Sequence, residues 1–547
     1  MASSVSEWVI DLADEAATER VALRLAAELR AGDLVTLGGD LGAGKTTLAR
    51  AIIRALLDDP AAEVPSPTYT LLQSYEGRRF NIVHADLYRI ADPSELAELG
   101  WEDAAENALV LVEWAERAGQ ILAEDRLDAR LAMLDATGKG RRLTLRGHGA
   151  FASRLQRAKA IQTLLDRTGF GTARRAYMLG DASVRAYERL TYPESGRRAI
   201  LMISPRRPDG PAIRAGKPYS TLVHLAESVH AFVAWARALR LQGYSAPEII
   251  GADLDAGLLV VEDLGAEGVV ADGAPIDERY GAAAEWLADL HARALPGVLP
   301  VEGNQVHKLP RYDLEALTIE AELLLDWYFP YRAKKSANAS QRLSFVDQWV
   351  STLEPVIEGE QTWVLRDFHS PNLIWLPDRE GLNKVGVIDF QDGLLGHPAY
   401  DVVSLAQDAR ITISERLELQ LLARYARARK ARQPGFDMGQ FAAAYAILGA
   451  QRATKILGIF VRLDRRDGKP DYLKHLPRVE AYLGRCLAHP ALAKLRLWYE
   501  SNLPGFAPPE TEGRDADKAD DHAGDAAGGG LRHADAPVDG KPSEAAG

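Results

Sequence analysis

The chain has 547 residues, too many for one hydrophobic core, and this length predicts two to four domains. Hydrophobic residues make up 47% and charged residues 26%, the balance of a soluble globular protein, and the single cysteine, Cys486, excludes a disulfide framework or a cysteine-only metal site. The net charge of −12 divides as −9 over residues 1–148, +3 over 149–506 and −6 over 507–547, so the first block is not expected to grip nucleic acid directly.

The opening MASSVSEWVIDLADE has acids where a secretion signal needs a basic region, and no run of eighteen apolar residues follows. A cytoplasmic protein with no membrane contact is the expectation. DLVTLGGD then reads as a buried strand entering a glycine turn, with a helix through TTLARAIIRALL. FNIVHADLYR, NALVLVEW and RLTLRGHG read as three more strands, and this alternation predicts an α/β domain over 1–148 with a largely parallel sheet. Residues 149–169 are expected to be a linker. A second domain, 170–506, opens with the strands YERLTY, RAILMIS and GLLVVEDLG. It continues into helices with 3.6-residue periodicity, interrupted by a short β pair, LIWLP and KVGVIDF. Residues 507–547 are Gly, Ala, Asp and Pro with almost no large apolar side chain, and predict a disordered acidic tail.

Two phosphate-handling motifs stand out. Gly39-Asp40-Leu41-Gly42-Ala43-Gly44-Lys45-Thr46 fits G-x-x-x-x-G-K-[ST] in full, between a strand and a helix. Gly39, Gly42 and Gly44 let backbone amides turn toward phosphate, Lys45 reaches the β/γ-phosphates of ATP or GTP, and the Thr46 hydroxyl can ligate Mg²⁺. Asp86 and Glu113, at the ends of apolar strands, are the candidate carboxylates for metal binding or hydrolysis. GDLGAGKTT, VPSPTYTL, HADLYR and VEW together resemble the small bacterial ATPase of tRNA threonylcarbamoyladenosine biosynthesis, the TsaE type. The resemblance implies a P-loop fold and slow ATP hydrolysis coupled to the proteins of the tRNA threonylcarbamoyltransferase complex. It places ATP on Lys45, Thr46 and Thr47, gives metal or hydrolytic roles to Asp86 and Glu113, and marks Trp114 and the loop Ser66–Thr68.

The second motif is WVLRDFHSPNLIWLP, where Asp367 and Asn372 stand in D-x-x-x-x-N spacing and Asp389 ends the strand KVGVIDF. In this kinase arrangement Asp367 accepts the proton of the attacking hydroxyl, while Asn372 and Asp389 hold Mg²⁺ on the phosphates of ATP. HSPNLIW, VIDFQD and GDASVRAYERL resemble the aminoglycoside/choline phosphotransferase branch of the kinase-like fold. LVVEDLG, GHPAYDVVSLAQDAR and QRATKILGIFVRL narrow this to the bacterial anomeric N-acetylmuramate/N-acetylglucosamine kinases of cell-wall recycling. The resemblance implies a two-lobe α+β domain and transfer from ATP to the C1 hydroxyl of an aminosugar. Glu262 and Asp263 would lie in the adenine hinge, and Gly180 and Ser183 in the phosphate-covering turn. Two features depart from the pattern: Leu365-Arg366-Asp367 lacks the usual histidine of H-G-D, and Met202 stands where a phosphate-binding lysine is expected. Lys217, Arg185, Arg206 or Arg207 would then substitute for that lysine. The alternatives are an aminoglycoside, choline or homoserine acceptor, or an ATP-binding pseudokinase acting as an interaction module.

Overall fold

The computed structural model describes residues 5–92, 95–98, 101–119, 123–134, 140–178, 185–206 and 210–504; the expected tail lies outside them. The first sheet has strands β1 Val5–Leu12, β2 Leu34–Gly38, β3 Leu72–Glu76, β4 Asn81–Asp86, β5 Leu109–Glu113, β6 Leu127–Met133 and β7 Arg141–His148. Their order is β1-β7-β6-β2-β5-β4-β3. β6, β2, β5 and β4 run parallel. Strands β3, β7 and β1 add antiparallel at the edges, so the parallel sheet expected from the sequence is confined to the middle. β2, β4 and β5 read as near-continuous apolar runs because both faces of the sheet are covered.

The segment expected as a linker contains helix Ala150–Arg167. Its first half buries Phe151 and Leu155 in the core of the first sheet. Its second half buries Ile161, Leu164 and Leu165 against Leu190, Leu201 and Val260 of the next sheet. Each such side chain contributes about 1.5–3 kcal/mol. A chain beginning at residue 170 is therefore expected to melt well below one beginning at residue 149, or to be insoluble. Equal melting temperatures by calorimetry would show that this helix does not belong to the kinase core.

The second sheet has five strands, in the order Ile249–Asp253, Leu258–Glu262, Arg197–Ile203, Ala186–Tyr192 and Arg174–Met178. All neighbouring pairs are antiparallel. A helical lobe follows, its core built on Trp235, Trp286, Trp349 and Trp363, all fully buried. Two short ribbons cross this lobe: Thr362–Val364 pairs with Leu394–Gly396, and Leu373–Trp375 pairs with Val385–Val387 as the sequence predicts. The segment joining the first strands of the two ribbons is the D-x-x-x-x-N loop.

The longest helix, Met438–Asp467, is capped by Asp437, whose carboxylate accepts from the amides of Gly439 and Gln440 at 2.8 and 3.0 Å. It crosses helix Leu314–Leu323 so closely that a Cβ at Gly458 would lie 2.4 Å from the Leu323 carbonyl. Among the described residues no helix is long and apolar enough to cross a membrane.

Candidate active sites

The C-terminal ends of β2, β4 and β5 bring the first set of predicted residues together. Gly39 has φ +132°, and a Cβ there would lie 2.3 Å from the Leu131 carbonyl oxygen of β6, so the turn admits no side chain. Gly42 and Gly44 also have positive φ, and Gly44 caps helix Lys45–Leu57. Lys45 Nζ folds back onto the loop, donating to the carbonyls of Gly39 at 2.9 Å and Asp40 at 3.0 Å. It also sits 3.9 Å from the centre of the Trp114 ring, a cation–π contact made possible by the left-handed backbone of Trp114.

Thr46 Oγ1 donates to Glu113 Oε2 at 3.0 Å, and the other oxygen of Glu113 lies 3.0 Å from His84 Nε2. Asp86 pairs with Glu113 across the parallel ladder but turns to a different task. Its Oδ2 accepts from Thr68 at 2.8 Å and Ser66 at 3.2 Å, and its Oδ1 from the Tyr88 amide at 3.0 Å. Glu113 thus adjoins Thr46 and the P-loop, whereas Asp86 pins the Ser66–Thr68 loop. Thr47 lines a small crevice with Gly44, Leu12 and Arg141. His84 was not singled out from the sequence; its position two residues before Asp86, on the same face of β4, is the signal that would have found it.

In the second domain the D-x-x-x-x-N loop is held from beneath by two buried carboxylates. Asp401 accepts from the amides of Leu365 at 2.7 Å and Arg366 at 2.9 Å, and Asp408 accepts from the Ser370 amide at 2.9 Å and hydroxyl at 2.5 Å. Arg366 has φ +66°, a strained value for a residue with a Cβ. Its guanidinium is locked by Glu320 and by the Val223 carbonyl at 2.8 Å. Glu320 is fully buried and also takes Lys455 at 2.8 Å and the Tyr312 hydroxyl. Burial raises the Glu320 carboxyl, but the charges of Lys455 and Arg366 outweigh it and hold the group below its ordinary value.

This scaffold leaves Asp367 46% exposed, with His369 Nε2 and Arg452 each 3.9 Å from its Oδ1. Burial acts to raise its pKa, yet His369, Lys455, Arg452 and Arg366 together keep it lowered. His369 itself is pushed down to about 4 by burial, which leaves it neutral near pH 7. Asn372 Nδ2 donates to the Asp367 carbonyl at 2.9 Å, and the Asn372 carbonyl accepts from the Ile388 amide at 3.0 Å. That second bond sets Asn372 beside Asp389, which adopts φ +58° and receives Gln391 at 2.8 Å and Arg185 at 3.0 Å. The protein ringing Asp389 raises it to about 6 against the pull of Arg185.

Met202 is buried in the core, and Lys217 is exposed on a short hairpin. Of the basic residues considered in place of the missing lysine, Arg185 is the one set on Asp389; Arg207 lies outside the described residues, as do Gly180 and Ser183. The side chains of Glu262 and Asp263 are engaged, Glu262 with Arg379 at 2.6 Å and Asp263 with Arg189 at 2.9 Å. A cleft of about 720 Å³ adjoins this centre, lined by Arg185, Tyr219 and Trp327 among others. Trp327 forms one wall of this cleft.

Residues 12–143 match the family described as threonylcarbamoyl adenosine biosynthesis protein TsaE, and residues 178–437 match the phosphotransferase enzyme family. The N-acetylmuramate/N-acetylglucosamine kinase of Caulobacter vibrioides is 40% identical over 363 residues, 64% of this chain and 97% of that protein. The kinase of the same name from Neisseria meningitidis serogroup B is 31% identical over 56% of this chain and 84% of its own length. The tRNA threonylcarbamoyladenosine biosynthesis protein TsaE of Rickettsia felis is 41% identical over 124 residues, 23% of this chain and 72% of that protein. The chain therefore belongs to two families in succession, a TsaE-type P-loop ATPase followed by a kinase-like phosphotransferase of the N-acetylmuramate/N-acetylglucosamine kinase family.

Proposed function

We propose that the protein is bifunctional, its first domain hydrolysing ATP in support of tRNA threonylcarbamoyladenosine formation and its second phosphorylating the anomeric hydroxyl of an N-acetylated aminosugar. The observation that carries the kinase reading is the convergence of Asp367, Asn372 and Asp389 beside a cleft large enough for a sugar. Asp367 accepts the proton of the C1 hydroxyl as its oxygen bonds to the γ-phosphorus of ATP, and the bond from that phosphorus to the β–γ bridging oxygen breaks to release ADP. Arg185 offsets charge near Asp389 in place of the lysine that Met202 displaces. The side-chain oxygens of Asn372 and Asp389 are donors suited to Mg²⁺, as are those of Thr46 and Glu113 in the first domain. When bound, that ion would neutralise phosphate charge.

In the first domain Lys45, now resting on its own loop carbonyls, is placed to exchange those contacts for phosphate oxygens, and Glu113 acts at the hydrolytic centre. The acidic charge of this domain suits a role through partner proteins of the threonylcarbamoyltransferase complex rather than direct tRNA contact. Both activities are assigned to the cytoplasm.

The kinase assignment is tested by ADP release. Release is expected to rise well above the basal rate on adding N-acetylmuramate or N-acetylglucosamine. Stimulation by choline or an aminoglycoside, and by neither sugar, would replace this acceptor class with another.

A further inference from the structure

The cleft beside Asp389 holds a cation that the phosphotransfer chemistry does not use. Four arginines line it. Arg185 is set on Asp389 at 3.0 Å, Arg214 on Glu322 at 2.7 Å, and Arg466 on Asp467 at 2.8 Å. Arg462 has no carboxylate within ion-pair distance among the described residues. Its Nε is buried without a hydrogen-bond partner, and its guanidinium faces the Tyr219 ring with 5.5 Å to the centroid. Burial acts to lower its pKa and outweighs the opposing pull of Tyr219 and of the more distant Asp467 carboxylate. A guanidinium in that condition is stabilised by an incoming anion, and its planar fork suits a carboxylate.

The position of Arg462 relative to the reacting centre is set by helix Met438–Asp467. Arg452, Lys455, Ile459, Arg462 and Arg466 follow one another at spacings of three, four, three and four, and so share one face. Arg452 on that face reaches Asp367 at 3.9 Å, and Lys455 reaches Glu320 at 2.8 Å. Arg462 stands two turns, about 10 Å of helix rise, beyond Lys455. A sugar bound with its anomeric hydroxyl at Asp367 and its ring along this helix face would bring the substituents on its far side toward Arg462.

We propose that Arg462 pairs with the carboxylate of an acidic aminosugar, such as the lactyl ether carboxylate of N-acetylmuramate, and so sets the preference for acidic over neutral acceptors; this rests on the aminosugar-kinase reading above. N-acetylglucosamine carries no such group and offers Arg462 no carboxylate.

The test compares kcat/KM for N-acetylmuramate and N-acetylglucosamine in the full chain, in Arg462→Gln and in Arg462→Lys. The ratio of the two values is independent of the fraction of enzyme that is folded, so partial misfolding does not disguise the result. The acidic-to-neutral ratio is expected to fall by about 10–100-fold in Arg462→Gln, the loss that goes with one charge-assisted hydrogen-bonded pair, and to recover in part in Arg462→Lys. A ratio within about twofold of wild type, or one equally low in both variants, would overturn the assignment. Failure of the wild-type chain to phosphorylate either sugar would be a different result, removing the acceptor class itself and this inference with it.

Discussion

Asp367→Asn is expected to lower kcat for sugar phosphorylation by about 10²–10⁴ while leaving ATP affinity nearly unchanged. The size of the effect follows from what the substitution removes, which is proton-accepting capacity together with one negative charge beside His369 and Arg452. The loop around Asp367 is held through backbone groups, by Asp401 on the amides of Leu365 and Arg366 and by Asn372 on the Asp367 carbonyl, and none of these involves the Asp367 side chain. Asparagine has the same shape, and the substitution leaves Asn372 and Asp389, proposed to serve the nucleotide, untouched. Single-turnover kinetics with a parallel nucleotide-binding titration would check both halves. An unchanged rate would remove Asp367 from the role of base, and a large loss of ATP affinity would mean that the loop itself had moved.

The second large effect belongs to the other end of the chain. Lys45→Ala is expected to abolish ATP hydrolysis by the first domain and to spare sugar phosphorylation. Lys45 is the group that spans the P-loop, bonded to the carbonyls of Gly39 and Asp40 and resting on Trp114, and alanine leaves those positions with no cation for the β/γ-phosphates. Hydrolysis assayed without sugar, with and without the partner proteins, and sugar phosphorylation assayed separately would read the two sites apart. If both activities fell together, the sites would be coupled. The helix Ala150–Arg167, buried in both cores, is then the element through which strain would pass.

Both candidate nucleotide sites could be picked out from the sequence because the motifs that mark them are written in short, local spacing. The P-loop needs glycines where the chain has positive φ, and a kinase loop needs Asp367 and Asn372 five residues apart, so the motifs survive reading without a fold. What was not legible depends on partners far along the chain. β1 is an edge strand whose acids Glu7 and Asp11 answer Arg146 and Arg142 of β7, and nothing in VSEWVIDL announces those partners. Residues 149–169 read as a connection because the apolar positions of its helix are divided between two cores instead of forming one stripe. Arg366 departs from the usual H-G-D, and its left-handed backbone makes sense only once Glu320, 46 residues earlier, is seen holding its guanidinium. Met202, read as a gap where a lysine belonged, turns out to be a core residue, and Arg185 on Asp389 supplies charge in the same neighbourhood. Arg462 lay in plain view within QRATKILGIFVRL, but its place on the cleft wall depends on residues far along the chain.

The most direct test of the central claim is the identity of the phosphorylated product. The purified chain would be mixed with Mg-ATP and, in turn, N-acetylmuramate, N-acetylglucosamine and the methyl glycoside of N-acetylglucosamine, whose C1 oxygen is blocked. Phosphorus NMR would follow each mixture. A new anomeric sugar-phosphate resonance is expected with the free sugars, none with the glycoside, and none with any acceptor in Asp367→Asn. Phosphorylation of the glycoside would place the transfer on another hydroxyl, and the absence of product from both free sugars would contradict the aminosugar-kinase assignment outright.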